Sequence, residues 1–169
     1  GGLAIYLAKK TGCRVTTTTI SSEQFLFAKQ WIEKEGLEDR ITLLEQDYRQ
    51  LQGSFDKIVS IEMIEAIGYK NYGVFFHTCN RLLKPGGTLL IQAITATDAQ
   101  FEKEKDKTDF IRSYIFPGGC LPSNRALLDA SCYSNLEIVA MRDLTRDYAK
   151  TLNDWKQKFK QQLPCVKRL

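Results

Sequence analysis

Two carboxylates three residues apart, Glu62 and Glu65, stand in the otherwise apolar run Ile61-Glu-Met-Ile-Glu-Ala-Ile-Gly68. At helical i,i+3 spacing they share a side. An acid held among apolar neighbours is a candidate for a raised pKa and for proton handling. Two exposed acids on a first helical turn, favoured by the helix dipole, are the plainer account. Of the pair, Glu65 is read as functional. Three further segments have residue types suited to a nucleotide-like ligand. Gly1-Gly2 opens a helical pattern, where glycine admits close backbone approach and a helix N-terminus favours negative charge; a simple turn or a cloning remnant explains it equally well. Thr16-Thr-Thr-Thr-Ile-Ser-Ser-Glu-Gln24 stands where a dinucleotide-binding domain usually places an acid against a ribose. Its hydroxyls and Gln24 can replace that acid, or the stretch is a polar strand end followed by a helix cap. In Gln46-Asp47-Tyr48, Asp47 is suited to accept from an exocyclic adenine amine beside an aromatic wall, although an acid that starts a turn is the commoner origin of such a residue.

Other reactive side chains carry less. Cys120 lies between Gly119 and Leu121-Pro122, and the one histidine, His77, falls on an amphipathic helix, so no Cys–His pair is evident and Cys120 is read as structural. The five cysteines are scattered with no C-x-x-C pair, which points to reduced thiols rather than a zinc site, and no metal is expected.

The elements that must position these residues alternate. Leu3–Gly12 has helical spacing, Arg14–Ile20 is a β-branched strand, and Ser21-x-x-Gln24 reads as a capping box opening a helix that Gly36 closes. Ile41–Glu45 and Phe55–Ile61 are strands. A helix over about Asn71 to Leu83 ends in the turn Lys84-Pro-Gly-Gly87, and Thr88–Thr95 is a strand. Residues 96–122 read as an irregular insertion, followed by a helix from Ser123 to about Cys132, a strand from Leu136 to Leu144 and a polar, basic closing helix. In that last helix Tyr148, Leu152, Trp155, Phe159 and Leu163 form one stripe, expected to pack, with Lys150, Lys156, Lys158 and Lys160 off it. The alternation predicts one domain over residues 1–169, a parallel doubly wound sheet that binds ligands at its strand exits.

Composition narrows the class. The 169 residues are 43% hydrophobic and 26% charged, ordinary for a soluble globular chain. No apolar run approaches the ~20 residues of a membrane span. A net charge of +4 is too mild for a nucleic-acid binder, and it is compatible with an anionic membrane surface. The chain starts without Met and stops just after a helix, so it reads as a fragment of a longer protein.

Taken in order, Gly-Gly-Leu-Ala, Val-Thr-x-x-Thr-Ile-Ser-x-Glu-Gln, Gly-Leu-Glu-Asp-Arg-Ile, Gln-Asp-Tyr-Arg, the Phe55–Gly68 run, Leu-Lys-Pro-Gly-Gly and Tyr114–Ser123 resemble cyclopropane-fatty-acyl-phospholipid synthases and mycolic acid cyclopropane synthases over the whole chain. Phe-Asp and Leu-Lys-Pro-Gly-Gly occur across class I methyltransferases; Ile115–Ser123 and Val59–Glu65 point to this family in particular. The resemblance implies a Rossmann-like class I methyltransferase sheet, incomplete here, with its first strand and C-terminal part outside the chain. It implies S-adenosylmethionine as cosubstrate, with Gly1 and Gly2 at the methionine end, Thr19, Ile20, Ser21, Ser22, Glu23 and Gln24 along the ribose, and Asp47 and Tyr48 on the adenine side. Glu65 matches the glutamate that helps hold a bicarbonate ion, the family's general base, with backbone from Ile61 and Glu62 nearby. Gln92 stands where many members have a bicarbonate-binding His, and Ala66 where many have a His after the glutamate.

The implied reaction transfers a methyl(ene) unit to the cis double bond of an unsaturated phospholipid acyl chain, on the cytoplasmic side of the inner membrane, with a homodimer left open. Such chemistry demands an apolar, water-excluding pocket with one anionic site, and the expected lining is Met63, Ile64, Ala66 and Ile67 with Phe110, Tyr114 and Phe116. A methyltransferase of the same fold acting on another lipid or small molecule, and a non-catalytic relative that binds S-adenosylmethionine or lipid, remain as alternatives.

Overall fold

β-Branched and apolar runs between capped helices give two strand–helix–strand units. In the first, β1 (Val15–Thr19), α2 (Ser22–Lys34) and β2 (Ile41–Glu45) follow α1 (Gly2–Thr11). In the second, β3 (Phe55–Ile61), α3 (Tyr72–Leu82) and β4 (Leu83–Gln92) repeat the pattern. The computed structural model describes residues 1–167. β1 pairs with β2 in parallel, Val15 opposite Ile41 through Thr19 opposite Glu45, and β3 pairs with β4 in parallel. A parallel pair needs a crossover between its strands, and here α2 and α3 supply it. Among the described residues the hydrogen-bonded ladders form two separate two-stranded sheets rather than one continuous one. The α/β class and the parallel sense of the strands are those that the alternation predicts.

Each unit has its own apolar core. Ala4, Ile5, Ala8, Ile32 and Ile41 are buried together around β1 and β2. A second cluster joins Ile64, Tyr72, Phe75, Phe76, Cys79, Phe101 and Cys120. Tyr72, Phe75, Phe76 and Cys79 come from one face of α3, so this helix anchors the turn that follows β3.

Local differences from the sequence reading have physical causes. Lys84-Pro-Gly-Gly87 is not a loop before the strand but an excursion within β4: Phe55 faces Leu83, Lys57 faces Thr88, and the four residues bulge out opposite Asp56. The insertion is less irregular than expected. Thr97 Oγ1 caps α4 (Asp98–Glu104) by accepting from the Gln100 N–H, and Ile111–Ile115 forms a π-helical turn. Its two ends meet, because the Ala96 N–H donates to the Pro122 carbonyl at 2.8 Å and Ala96 bridges Ser123. The Ser123 hydroxyl then caps α5 (Asn124–Ser131).

The strand expected over Leu136–Leu144 is absent among the described residues. Ile138, Val139 and Met141 are exposed, and β-branched residues hold a strand only against a partner edge. The chain divides into two compact parts, one from Gly1 to Leu136 and the other from Glu137 onward. The second part holds α6 (Thr145–Val166), a helix with no buried residue, in which Leu152, Trp155 and Phe159 are exposed. Among the described residues no helix is long and apolar enough to cross a membrane.

Candidate active site

The carboxyl ends of β3 and β4 bring the reactive segment together. β3 ends at Ile61, and Glu62 turns the chain with φ +49°, a left-handed conformation that costs an L-residue roughly 1–2 kcal/mol. Its N–H still donates to the Gln92 carbonyl at 2.8 Å, so the ladder runs one residue beyond the strand. A single 3-10 turn, Ile64–Ala66, follows, and the fully buried Ile64 pins it into the core. Glu62 therefore precedes the helical turn and shares no helical face with Glu65, contrary to the i,i+3 reading. The left-handed residue aims the two acids at different partners.

Glu65 reaches across to the β4 exit. Its Oε1 accepts from the Ile94 N–H at 2.6 Å, and its main-chain carbonyl accepts from the Cys120 N–H at 2.7 Å. Gly119 lies so close to that carbonyl that a Cβ would sit 3.3 Å from it and 3.0 Å from the Phe116 carbonyl, which explains the glycine pair in Phe116-Pro-Gly-Gly-Cys120. Glu65 Oε2 is buried and has no hydrogen-bond partner in the structure. An orphaned buried acceptor of this kind costs about 1–3 kcal/mol, which a donor on a ligand would offset. Gln92, at the end of β4, donates from Nε2 to Glu62 Oε1 at 3.0 Å. Cys120 is buried and burial pushes its thiol up, so the thiolate a nucleophile needs is scarce, in keeping with a structural role.

The segments read as binding a nucleotide lie at the exits of β1 and β2 and at the start of α1. Gly1 is the N-cap of α1, with no side chain capping the first turn, and a Cβ at Gly1 would meet Ala28 Cβ at 3.1 Å. Close packing of α1 on α2 is thus a second reason for glycine there. Gly2 faces the Trp31 ring, 3.6 Å from an added Cβ. At the β1 exit half of the expected capping box forms: Ser21 Oγ accepts from the Gln24 N–H at 3.3 Å. The Gln24 side chain instead accepts from Thr19 Oγ1, at 3.1 Å, and Thr19 Oγ1 accepts from the Ser21 N–H. Ser21 Oγ also donates to Glu23, and Ser22 Oγ donates to Glu45, while Ile20 projects outward.

Asp47 caps the turn at Tyr48–Gln50 by accepting from the Arg49 N–H, and its carboxylate takes two further bonds from the Arg49 guanidinium at 2.9 and 2.6 Å. The Arg49 side chain, then burial working the other way, leaves its carboxyl below the usual carboxylate range. Tyr48 packs edge-on against Phe75 with a buried hydroxyl that has no partner, so its ring belongs in part to the core. Ile61 is exposed at the β3 end.

The aromatic lining expected from the insertion is not enclosed. Phe110, Tyr114 and Phe116 are 66%, 75% and 62% exposed, because the π-helical turn that carries them projects them away from the core cluster. A cavity of about 480 Å³ lies between α3, α4 and α5, lined by Tyr69, Tyr72, Asp98, Phe101, Glu102 and Arg125 among others, and none of the expected site residues lines it. The contacts made by Ile94, Cys120 and Glu62 were missed by the sequence reading. No local pattern marks them, since each joins positions about thirty or more residues apart.

Against known proteins, a family model described as mycolic acid cyclopropane synthetase matches residues 1–169. The chain is 37% identical to tuberculostearic acid methyltransferase UfaA1 of Mycobacterium tuberculosis over 162 residues, 95% of this chain and 38% of that protein. It is 38% identical to the cyclopropane-fatty-acyl-phospholipid synthase of Escherichia coli over 159 residues, 94% of this chain and 39% of that protein. Among solved structures it resembles mycolic acid cyclopropane synthase CmaA1 complexed with SAH and CTAB, with a TM-score of 0.82 and 26% identity, over 95% of this chain and 59% of that one. The chain thus spans about two fifths of the length of these curated relatives.

Proposed function

The chain belongs to the mycolic acid cyclopropane synthetase family, and we propose that the protein transfers a methyl(ene) unit from S-adenosylmethionine to the cis double bond of an unsaturated phospholipid acyl chain. The fold is that of S-adenosylmethionine-dependent methyltransferases. The observation that carries the reading is Glu65: an acid locked by the Ile94 and Cys120 amides, with one buried oxygen left without a donor.

When bound, S-adenosylmethionine supplies an electrophilic sulfonium methyl to the alkene, and loss of a proton from that carbon lets the ring close. The residues proposed to hold it are Gly1 and Gly2 at the uncapped start of α1, the Thr19–Gln24 segment, Asp47, Tyr48 and Ile61. Glu65 places fixed negative charge beside the cation that develops on the acyl chain, where a preorganised group needs no reorganisation during reaction. Bicarbonate fits the acceptor present: its hydroxyl is the kind of donor that Glu65 Oε2 lacks, and the second N–H of Gln92 Nε2 is suited to a charged oxygen. Held between Glu65 and Gln92, it would supply a base for the departing proton.

The same residues serve a variant in which the carbocation loses a proton from a chain carbon instead of from the new methyl group, leaving a methyl-branched chain that keeps a double bond. That variant is favoured by Gln92, a neutral amide already bonded to Glu62 and not itself a base. The proposed setting is peripheral, at the cytoplasmic face of the inner membrane. Mass spectrometry of lipids from cells expressing the full-length protein tests the reading. One added methylene in unsaturated phospholipids, dependent on S-adenosylmethionine, is expected; unchanged lipids with an unmethylated acceptor pool overturn it.

A further inference from the structure

We infer that Glu62 is a positioning residue, clamping the Gln92 side chain at the mouth of the Glu65 site. The inference rests on the proposed methyl transfer for its consequence and on geometry for its substance. Glu62 holds Gln92 at two points. Its N–H donates to the Gln92 carbonyl at 2.8 Å, and its Oε1 accepts from Gln92 Nε2 at 3.0 Å. The second bond depends on the first turn of the backbone: φ +49° swings the Glu62 side chain off the β3 line toward the β4 exit.

Only one other non-glycine among the described residues, Asn135, has positive φ, and asparagine tolerates that conformation well. Glycine would occupy position 62 without strain. An exposed amide–carboxylate bond by itself contributes little to stability. Strained backbone at a candidate site that also places a side chain on a neighbouring polar group is the pattern expected when the side chain has work to do.

The clamp has a chemical consequence. Without that bond the Gln92 amide would be free to turn toward solvent. With one N–H committed to Glu62, the remaining N–H and Oε1 keep a single orientation at the β4 exit, two residues before the Ile94 N–H that fixes Glu65 Oε1. The exits of β3 and β4 are then cross-linked twice, Glu62 to Gln92 and Glu65 to Ile94, with a polar edge of defined sense between them. Orientation of this kind acts on turnover rather than on cosubstrate affinity.

The test compares Glu62→Gly, Glu62→Gln and wild type in the full-length protein. Glu62→Gly relieves the backbone and should keep or raise the melting temperature. It should lower kcat by about tenfold or more while leaving KM for S-adenosylmethionine within about twofold. Glu62→Gln, which retains a carbonyl acceptor for Gln92, should recover most of the loss. Independently of turnover, selective 15N-glutamine labelling reads the Gln92 side-chain NH2 directly. Its two proton resonances should be held apart and rigid in wild type, and should become mobile and solvent-like in Glu62→Gly. If wild type transfers no methyl group, the proposed function fails and the resonance comparison alone decides the clamp. Unmoved Gln92 resonances, or a Glu62→Gly variant with kcat within about twofold of wild type, overturn it.

Discussion

The Ile94 N–H and Glu65 Oε1 are joined by a 2.6 Å hydrogen bond that fixes a carboxylate from the β3 side against the backbone of the β4 exit. Because the donor is main chain, no substitution at Ile94 other than proline removes it. Glu65 is therefore oriented by the backbone, and its second oxygen is left buried without a partner.

Glu65→Gln keeps an acceptor for Ile94 but removes the charge. Turnover is expected to fall on the order of 100-fold or more, the usual scale for losing a preorganised electrostatic partner. Affinity for S-adenosylmethionine should stay within a few-fold, measured by calorimetric titration of the full-length variant. A variant that keeps more than about half its activity makes Glu65 a structural acid at the end of a turn.

Asp47 and Arg49 predict a pH effect. The Arg49 guanidinium holds the Asp47 carboxyl below its ordinary value of 3.8. A depressed folded pKa adds stability above the unfolded value, and that contribution is lost as pH falls through the folded value. Removing the cation with Arg49→Gln should lower the melting temperature slightly near neutral pH. The gap between variant and wild type should close as pH falls from roughly 5 toward 3. A gap that persists unchanged into acid means the guanidinium acts there by packing, not by charge.

Two glycines should respond oppositely to alanine. At Gly87 a Cβ would lie 2.8 Å from the Lys84 carbonyl and 3.1 Å from the Asp56 carbonyl, both backbone atoms held by the β4 excursion. Gly87→Ala should cost about 1–3 kcal/mol in denaturant unfolding. Gly73, in the first turn of α3, meets nothing within 4 Å, and Gly73→Ala should stabilise by up to about 1 kcal/mol. Equal midpoints for the two variants contradict the close approach described at Gly87.

The basic side of α6 bears on membrane contact. Lys156, Lys158 and Lys160 lie off the exposed stripe of Leu152, Trp155 and Phe159. Changing the three lysines to glutamine should weaken sedimentation of the full-length protein with anionic vesicles, by ~1 kcal/mol per charge near the surface. Added salt should weaken it further. If Trp155→Ala abolishes binding while the melting temperature is unchanged, the apolar stripe is the lipid-facing side.

Much of the scaffold was legible because its signals are local. Ser21 caps α2 where the hydroxyl stands, and β2 and β3 fall on the very runs, Ile41–Glu45 and Phe55–Ile61, that their β-branched and apolar residues mark. In the segment 136–144 Ile138, Val139 and Met141 have strand-forming side chains, but a strand needs an edge, and no residue pattern supplies one. At the site, the residue types at Glu65 and Gln92 were legible, whereas their partners were not. Glu62 faces Gln92 only because of a left-handed backbone, and Ile94 meets Glu65 through a main-chain group that any residue would present. The aromatic residues at 110–116 carried the right chemistry for an apolar pocket, but a π-helical turn sends them outward.

The stretch from Ala96 to Pro122 begins and ends at one hydrogen bond, a loop with a closed base that is anchored in the core by Phe101 and Cys120. Extending such a loop adds little entropy cost, only about 0.6 kcal/mol for each doubling of length. Insertions among the exposed residues 108–111 should therefore disturb neither β4 nor α5, whereas Phe101 holds α4 in the core. The tail of the loop is not exchangeable in the same way, since Cys120 ties its backbone to Glu65 and accepts the Tyr72 hydroxyl at 2.7 Å. A graft that keeps Phe101 and residues 116–122 and swaps only the exposed turn between them would change the outer surface and leave the contacts of Glu65 in place.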